Sequence, residues 1–202
     1  MLTTRNMLVG TIVLAAAANA FGQTGYIQNS KHNFSSYAWS GNEICKPCHT
    51  PHGANADAGA LWNHELTNAT YTMFEGETGT AAADLDARSR LCMSCHDGTV
   101  ALDSFGGQTG SNFVPQWANL GTDLQNDHPI GADGVYPTTY TRFKDPATFP
   151  STVRLRDWTD HNGTLQKVVS CGTCHTAHGR GFPSLLNMSN TGSALCLTCH
   201  IK

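Results

Sequence analysis

The chain has 202 residues, a formal net charge of −3 and only 13% charged residues. This composition argues against a nucleic-acid partner, which would require a basic patch. Eight cysteines and ten histidines indicate instead a metal or cofactor.

Residues 1–20 have the pattern of a secretory signal peptide. Arg5 precedes an apolar run from Met7 to Ala18, and Ala18-Asn19-Ala20 supplies small residues for cleavage. The run is too short to span a membrane comfortably, so we expect no membrane span after cleavage. The sequence therefore predicts export of a single domain, residues 21–202, either to the cell exterior and outer surface or to the periplasm.

Four copies of the pattern C-x-x-C-H use every cysteine in the chain. In this pattern two thiols add to the vinyl groups of a haem, and the adjacent histidine ligates its iron. A structural zinc site also uses paired cysteines, but it has no reason to place a histidine directly after each pair. We therefore predict four covalently bound c-type haems. The attachment residues are Cys45, Cys48, Cys92, Cys95, Cys171, Cys174, Cys196 and Cys199. The proximal iron ligands are His49, His96, His175 and His200.

The amount of chain available for each haem limits the fold. Four haems within residues 21–202 leave about 45 residues for each, too few to enclose every porphyrin in a layered core. We predict mostly irregular coil with a few short α-helices, wrapped round four closely stacked haems, and little or no sheet. The strongest helix prediction runs from Thr80, as its cap, to His96, and Asp97-Gly98 ends it. Residues 98–170 are predicted to be irregular.

Four haems need four further ligands if every iron is closed on both sides. The predicted distal ligands, in chain order, are His32, His52, His128 and His178. His128 precedes Pro129, which favours an extended and rigid presentation, so it is preferred to the alternative, His161. His32 would tie down the N-terminal arm, on its own subunit or on a neighbour.

Three other side chains are alternatives that the prediction leaves aside. His64 is interpreted as a polar surface residue or a partner of a haem propionate. Met73 and Met188 are possible iron ligands, but flexible thioether side chains more often fill gaps in a core.

The chain contains an internal repeat. The unit C-x-x-C-H-T-x-H-G occurs at 45–53 and 171–179, and S-x-L-C-x-[ST]-C-H follows at 89–96 and 193–200. We infer two two-haem modules, about 21–110 and 111–202. His52 and His178 each follow a proximal histidine by three residues. A histidine at this spacing cannot reach the opposite face of the porphyrin that its neighbour ligates. We therefore expect His52 and His178 each to ligate a haem other than that of the adjacent motif.

Two histidines on every iron leave no open coordination position. Such haems exchange electrons at low potential and bind substrates poorly, so the sequence predicts electron transfer and no enzymatic activity. The opposing hypothesis is an oxidoreductase that reduces nitrite or hydroxylamine at one open haem. Its polar groups would come from His64, His161 and Arg154 or Arg156.

The motifs resemble those of multihaem cytochromes with doubled C-x-x-C-H modules. The matching segments are 30–32, 43–53, 61–63, 91–101, 127–130 and 171–179. The arrangement is similar to tetrahaem outer-surface cytochromes of metal-reducing bacteria, some of which form extracellular filaments, or nanowires. The resemblance implies bis-histidine ligation, little regular secondary structure and, in filament members, a ligand that crosses between subunits; His32 matches that role.

The resemblance also implies the partners. These are other copies of the chain, joined head to tail, and redox partners such as other multihaem cytochromes or an extracellular acceptor. A soluble periplasmic electron shuttle is the alternative, and no residue decides between them.

Overall fold

Long irregular segments separate short regular elements in the computed structural model, which describes residues 26–59, 61–74, 78–81, 85–139 and 141–202. The helices are α1 (Ala87–His96), α2 (Cys171–Cys174) and α3 (Cys196–Cys199). The strands are β1 (Thr70–Thr72), β2 (Thr78–Ala81), β3 (Arg156–Thr159) and β4 (Leu165–Val168). None of the helices within these ranges could span a membrane. The predicted signal peptide, residues 1–20, lies outside them.

Helix α1 begins at Ala87, so the prediction of a helix from Thr80 was wrong at its start. The Asp86 carboxylate accepts hydrogen bonds from the backbone N–H groups of Arg88 and Ser89, which makes it the N-cap. Thr80 belongs to β2 and is paired with Tyr71 of β1. An aspartate placed directly before the helix satisfies its first N–H groups, whereas strand pairing already occupies the backbone of Thr80.

The predicted end of α1 is confirmed. The Asp97 N–H donates to the Met93 carbonyl at 3.0 Å, and Gly98 follows in the left-handed conformation with φ +74°. A side chain at Gly98 would also collide with the side-chain amide of Asn119. The helix therefore stops directly after His96.

Strands β3 and β4 form an antiparallel hairpin in a region that the sequence predicted to be irregular. The Asp160 carboxylate accepts hydrogen bonds from the N–H groups of Asn162 and Thr164 and so closes the turn. Gly163 provides the positive φ of +77°. Four-residue strands are too short for their alternation to be distinguished from irregular chain, which explains why the prediction missed them.

A small apolar core holds β1 against α1. Tyr71, Met73, Leu85, Met93 and Leu124 are all buried and form one cluster. The preference for Met73 as a packing residue is confirmed by this position. Because Met93 lies one turn before the end of α1, the core fixes the position of the helix end that carries the second C-x-x-C-H motif.

Candidate haem-binding sites

Each C-x-x-C-H motif closes as a helical turn. The backbone N–H of the histidine bonds to the carbonyl of the first cysteine in the first, third and fourth motifs. These bonds are His49 to Cys45 (2.8 Å), His175 to Cys171 (2.9 Å) and His200 to Cys196 (3.0 Å). The second motif is the last turn of α1. None of the eight cysteines forms a disulfide in the structure. Both thiols and the histidine of each motif are thus presented by one turn of chain.

Three of the four proximal candidates face a distal candidate. The pairs, with their ring-centroid separations, are His32 with His96 (6.0 Å), His49 with His178 (6.1 Å) and His128 with His200 (6.3 Å). An imidazole nitrogen lies roughly 2 Å from a metal ion that it ligates, so rings on opposite sides of one ion have centres about 6 Å apart. These three separations match two imidazoles on the same iron.

The remaining two candidates, His52 and His175, are both exposed. No ring contact joins them in the parts of the chain that the structure describes. Their neighbours are nevertheless connected, because His52 lies three residues after His49 and His178 lies three residues after His175. The pair formed by His49 and His178 therefore joins the two copies of the repeat C-x-x-C-H-T-x-H-G, which is the arrangement that cross-ligation requires.

Backbone carbonyls fix the tautomer of several candidate ligands. The Nδ1 atoms in question lie near Ala118 O for His96 (2.8 Å), Ser184 O for His175 (2.9 Å) and Pro129 O for His128 (3.0 Å). A carbonyl oxygen only accepts hydrogen bonds, so Nδ1 carries the proton in each case. The Nε2 lone pair is then left available for a metal, as second-shell hydrogen bonds to metal-ligating histidines usually arrange.

His32 carries a half-buried imidazole ring. Its buried Nδ1 atom has no hydrogen bond to any residue in the described ranges. Burial, and next the nearby His96, lower the pKa of His32 from 6.5 to about 4. The ring is therefore neutral at neutral pH, the state in which an imidazole binds a metal.

The interpretation of His64 as a polar surface residue was wrong, because this side chain is only 2% exposed. Its Nδ1 lies 2.7 Å from the Glu65 carbonyl and its Nε2 lies 2.9 Å from the Ala101 carbonyl. Both ring nitrogens thus face backbone acceptors, unlike those of the paired histidines. Each ring nitrogen therefore has a backbone carbonyl within hydrogen-bonding distance.

The structure separates His128 from its alternative. His161 is exposed in the turn between β3 and β4, next to Asp160. His128 lies opposite His200, with Phe143 in contact with the His200 ring at 5.0 Å. Of the two histidines, only His128 lies against a proximal candidate.

Cysteines of successive motifs influence one another's pKa. The neighbouring Cys171, and next burial, raise the pKa of Cys92, whereas the neighbouring Cys92 lowers the pKa of Cys171. Burial, and next the nearby Cys48, raise the pKa of Cys95 to about 12. Burial, and next Cys199, raise the pKa of Cys174 to about 11. Electrostatic effects of this kind act between the first motif and the second, the second and the third, and the third and the fourth.

A pocket with both polar and apolar lining residues lies beside the first motif. This open pocket of about 840 Å³ is lined by Cys45 and His49 together with Leu61 and Phe105. This volume is in the range of ordinary cofactor sites. The residues present therefore fit a haem, which would attach through Cys45 and Cys48 and be ligated by His49.

The carbonyl acceptors at Ala118 and Ser184 were missed by the sequence analysis. Every residue type carries a backbone carbonyl, so no sequence signal distinguishes these two. The hydrogen bonds of Asn63 and Asn187 were also missed, although the repeated pattern L-x-N at 61–63 and 185–187 could have identified them.

Comparison with known families adds one finding. Residues 164–202 match the family model described as the doubled CXXCH motif. The matched segment contains the third and fourth motifs, Cys171 to His175 and Cys196 to His200. A comparison with curated proteins gave no match. The family match and the chemistry of the motif together indicate covalently bound c-type haem and support a multihaem c-type cytochrome family for this chain.

Proposed function

We propose that this protein transfers electrons and holds four c-type haems, each ligated by two histidines. The observation that carries the proposal is the set of three proximal and distal histidine pairs, at 6.0 to 6.3 Å between ring centroids. Each haem, when bound, supplies an iron that takes up and gives up one electron. The chain's own contribution is to fix the ligands and the spacing.

We assign the fourth site to the two histidines that remain. His175 belongs to the third motif, and His52 follows His49 by three residues. Because His49 is paired with His178, the reciprocal pairing of His175 with His52 joins the same two loops a second time. All eight ligands then come from one chain.

The electrostatic effects between cysteines support a continuous electron route. Cysteines of the first and second, second and third, and third and fourth motifs shift one another's pKa, so they lie in one region of the fold. Covalent attachment at adjacent cysteines holds the attached groups close together, which rapid electron exchange requires. The proposed order of the haems along the route is therefore their order in the sequence.

The proposal includes no enzymatic activity. Two imidazoles on each iron leave no position for a substrate. The buried His64, which the enzyme hypothesis needs as a polar group, has both ring nitrogens against backbone carbonyls. Arg156 lies against the third motif, with its Nη2 3.4 Å from the Gly172 carbonyl.

We further propose that the protein is exported and passes electrons to neighbouring copies in an extracellular filament, or to other multihaem cytochromes or an external acceptor. This part rests on the signal pattern of residues 1–20 and on the family resemblance. His32 faces His96 of its own chain, so the filament we propose does not depend on His32 as a crossing ligand. A periplasmic shuttle is the alternative. Electron microscopy of the sheared extracellular fraction, with haem staining, separates the two.

The test of the core proposal is the haem content and spin state of the purified protein. We expect four haems per chain by pyridine haemochrome assay and intact mass, and we expect low-spin, six-coordinate iron in both oxidation states. A stoichiometry below four, or five-coordinate high-spin iron in the wild-type protein, would refute it.

A further inference from the structure

The side chain of Asn187 binds the backbone of the third motif. Its buried Nδ2 atom donates to the carbonyls of Gly172 at 3.1 Å and Thr173 at 3.0 Å, and lies 3.3 Å from that of His175. Its backbone N–H donates to the Cys174 carbonyl at 2.8 Å. A single helical turn leaves its carbonyls without partners inside the helix. Asn187 therefore supplies the donors that α2 lacks.

Asn63 makes two corresponding contacts in the first motif. Its Nδ2 atom donates to the Lys46 carbonyl at 2.6 Å, and its backbone N–H donates to the Cys48 carbonyl at 2.9 Å. Lys46 and Gly172 both directly follow the first cysteine of their motif. The contact thus occurs twice, at equivalent positions of the two modules. We call the segments 61–63 and 185–187 the L-x-N braces.

The leucine that begins each brace has an unusual backbone conformation. Leu61 has φ +63° and Leu185 has φ +56°, in the left-handed region that non-glycine residues seldom adopt. The carbonyl of Leu61 accepts from the Thr50 N–H, and that of Leu185 from the Thr176 N–H, each at 2.9 Å. Strain of this kind persists only where the surrounding contacts enforce it. Both modules hold it at the same place.

Each brace lies beside the proximal histidine. In the first module Trp62 contacts the His49 ring edge-on, with centroids 6.0 Å apart. In the second module the carbonyl of Ser184, directly before the brace, accepts the hydrogen bond from His175 Nδ1. The side-chain amides of Asn63 and Asn187 connect the segments that make these ring contacts to the backbone of the C-x-x-C-H turn.

We propose that Asn63 and Asn187 are positioning residues that set the orientation of the His49 and His175 imidazoles, and thereby the reduction potentials of the two haems these histidines ligate. The inference rests on the proposed function. Hydrogen bonds behind a metal-ligating histidine fix the orientation and basicity of the ring, and both influence the metal's potential.

The other two motifs provide an internal comparison. His96 is held by the segment that follows the Gln116–Ala118 turn, where the Leu120 N–H donates to its carbonyl at 2.7 Å. The backbone of His200 pairs with that of Phe143 in an isolated antiparallel β-bridge. The Ile201 N–H donates to the Arg142 carbonyl. Neither uses a brace asparagine, so the effect should be confined to the first and third haems.

The experiment compares Asn63→Leu and Asn187→Leu, which keep side-chain volume and remove the donors, with Asn187→Gln, which keeps an amide on a longer chain. Asn162→Leu, in the exposed β3–β4 turn, is the matched control. Each holoprotein is titrated potentiometrically and its ferric electron paramagnetic resonance spectrum is recorded.

We expect four low-spin haems in every variant. One reduction equilibrium should change by at least threefold in each brace leucine variant, about 28 mV for a one-electron couple. The resonance of that haem should change as well.

The glutamine variant should displace the same potential by less, and the control should match wild type. Wild-type potentials and resonances in both leucine variants would overturn the inference. If neither leucine variant yields holoprotein, Asn187→Gln decides: one displaced potential supports the role, and four unchanged potentials overturn it. Failure of the proposed function is a different result, because it would appear as missing or high-spin haems in the wild-type protein itself.

Discussion

The imidazole rings of His49 and His178 face each other with centroids 6.1 Å apart, although they come from different halves of the duplicated sequence. The loop that carries His178 also receives the N-terminal arm, because the Ile27 N–H donates to the His178 carbonyl at 3.1 Å. An iron ligated by both rings would connect the two halves through coordination bonds. The halves are then expected to fold as one unit.

Replacing His178 by alanine should open one haem. The His49-ligated iron loses its distal ligand, so we expect one of the four proposed haems to become high-spin while the other three stay low-spin. Absorption and resonance Raman spectroscopy measure this directly. His52→Ala should give the same signal from a different haem, and the double variant should open two. His161→Ala is the control and should leave the spectra unchanged; a fully low-spin His178→Ala protein would contradict the pairing.

His32→Ala should open the haem ligated by His96 in the isolated chain. The two rings are 6.0 Å apart within one molecule, so the effect should appear in monomeric protein and should not depend on concentration. Spin state measured over a dilution series checks this. A monomer whose spectrum is unchanged by the substitution, combined with loss of assembly, would show instead that His32 serves a neighbouring subunit.

Asp86→Ala should destabilise the junction between α1 and α2. The buried carboxylate caps α1 and also accepts from the Ser170 hydroxyl at 2.7 Å. Loss of an N-cap alone costs about 1 kcal/mol, and a buried hydroxyl left without its acceptor costs about 1 kcal/mol more. We expect the free energy of unfolding of the holoprotein to fall by about 2 kcal/mol in chemical denaturation.

The matched control for Asp86 is Asp157→Ala. This aspartate is exposed on β3 and pairs with Lys167 on β4. An exposed ion pair contributes roughly 0 to 1 kcal/mol, so the control should unfold nearly as the wild type does. Equal losses in the two variants would mean that the buried junction at Asp86 is not specifically stabilising.

Asp103→Asn should reduce stability in a pH-dependent way. Burial disfavours the charged carboxylate, but hydrogen bonds from the backbone and side chain of Asn112 and from the Ser111 N–H outweigh it and lower the pKa of Asp103. Because the folded-state pKa lies below the unfolded value, the stabilisation is complete above the unfolded value. It is lost as the pH falls through the folded one.

The measurement is the thermal midpoint of wild type and variant at neutral pH and in acid. Asp103→Asn should have the lower midpoint at neutral pH, and the difference should shrink as the solution is acidified below the usual aspartate pKa of about 4. Asp57→Asn, at an exposed loop position, is the control and should show no such trend. A constant difference at all pH values would contradict the role of the charge.

The sequence and the tertiary structure give different information about the histidines. Proximal candidates such as His96 could be named from sequence, because attachment chemistry places the ligand directly after its cysteines. The distal candidates could be named too, but their partners could not. The pairing of His128 with His200 depends on the path of the chain between them, which no short pattern encodes.

The burial of His64 could not be predicted from the sequence either. The neighbouring residues Asn63 and Glu65 give no sign that the His64 ring is buried. They also do not show that its Nε2 atom lies near the carbonyl of Ala101, 37 residues away in the sequence. The hairpin of β3 and β4 was missed for a related reason, since its strands are shorter than the window in which a period can be recognised.

The sequence by itself determined the candidate residues for covalent chemistry in this protein: the four C-x-x-C-H motifs, the internal repeat and the set of residue types able to ligate iron. These are local properties, fixed by spacing along the chain. Only the tertiary structure decided which imidazoles face each other, which ring nitrogens remain free, and which buried asparagines hold the attachment turns. Those properties depend on contacts between residues far apart in sequence, because ring positions and hydrogen-bond partners follow from the folded path of the backbone.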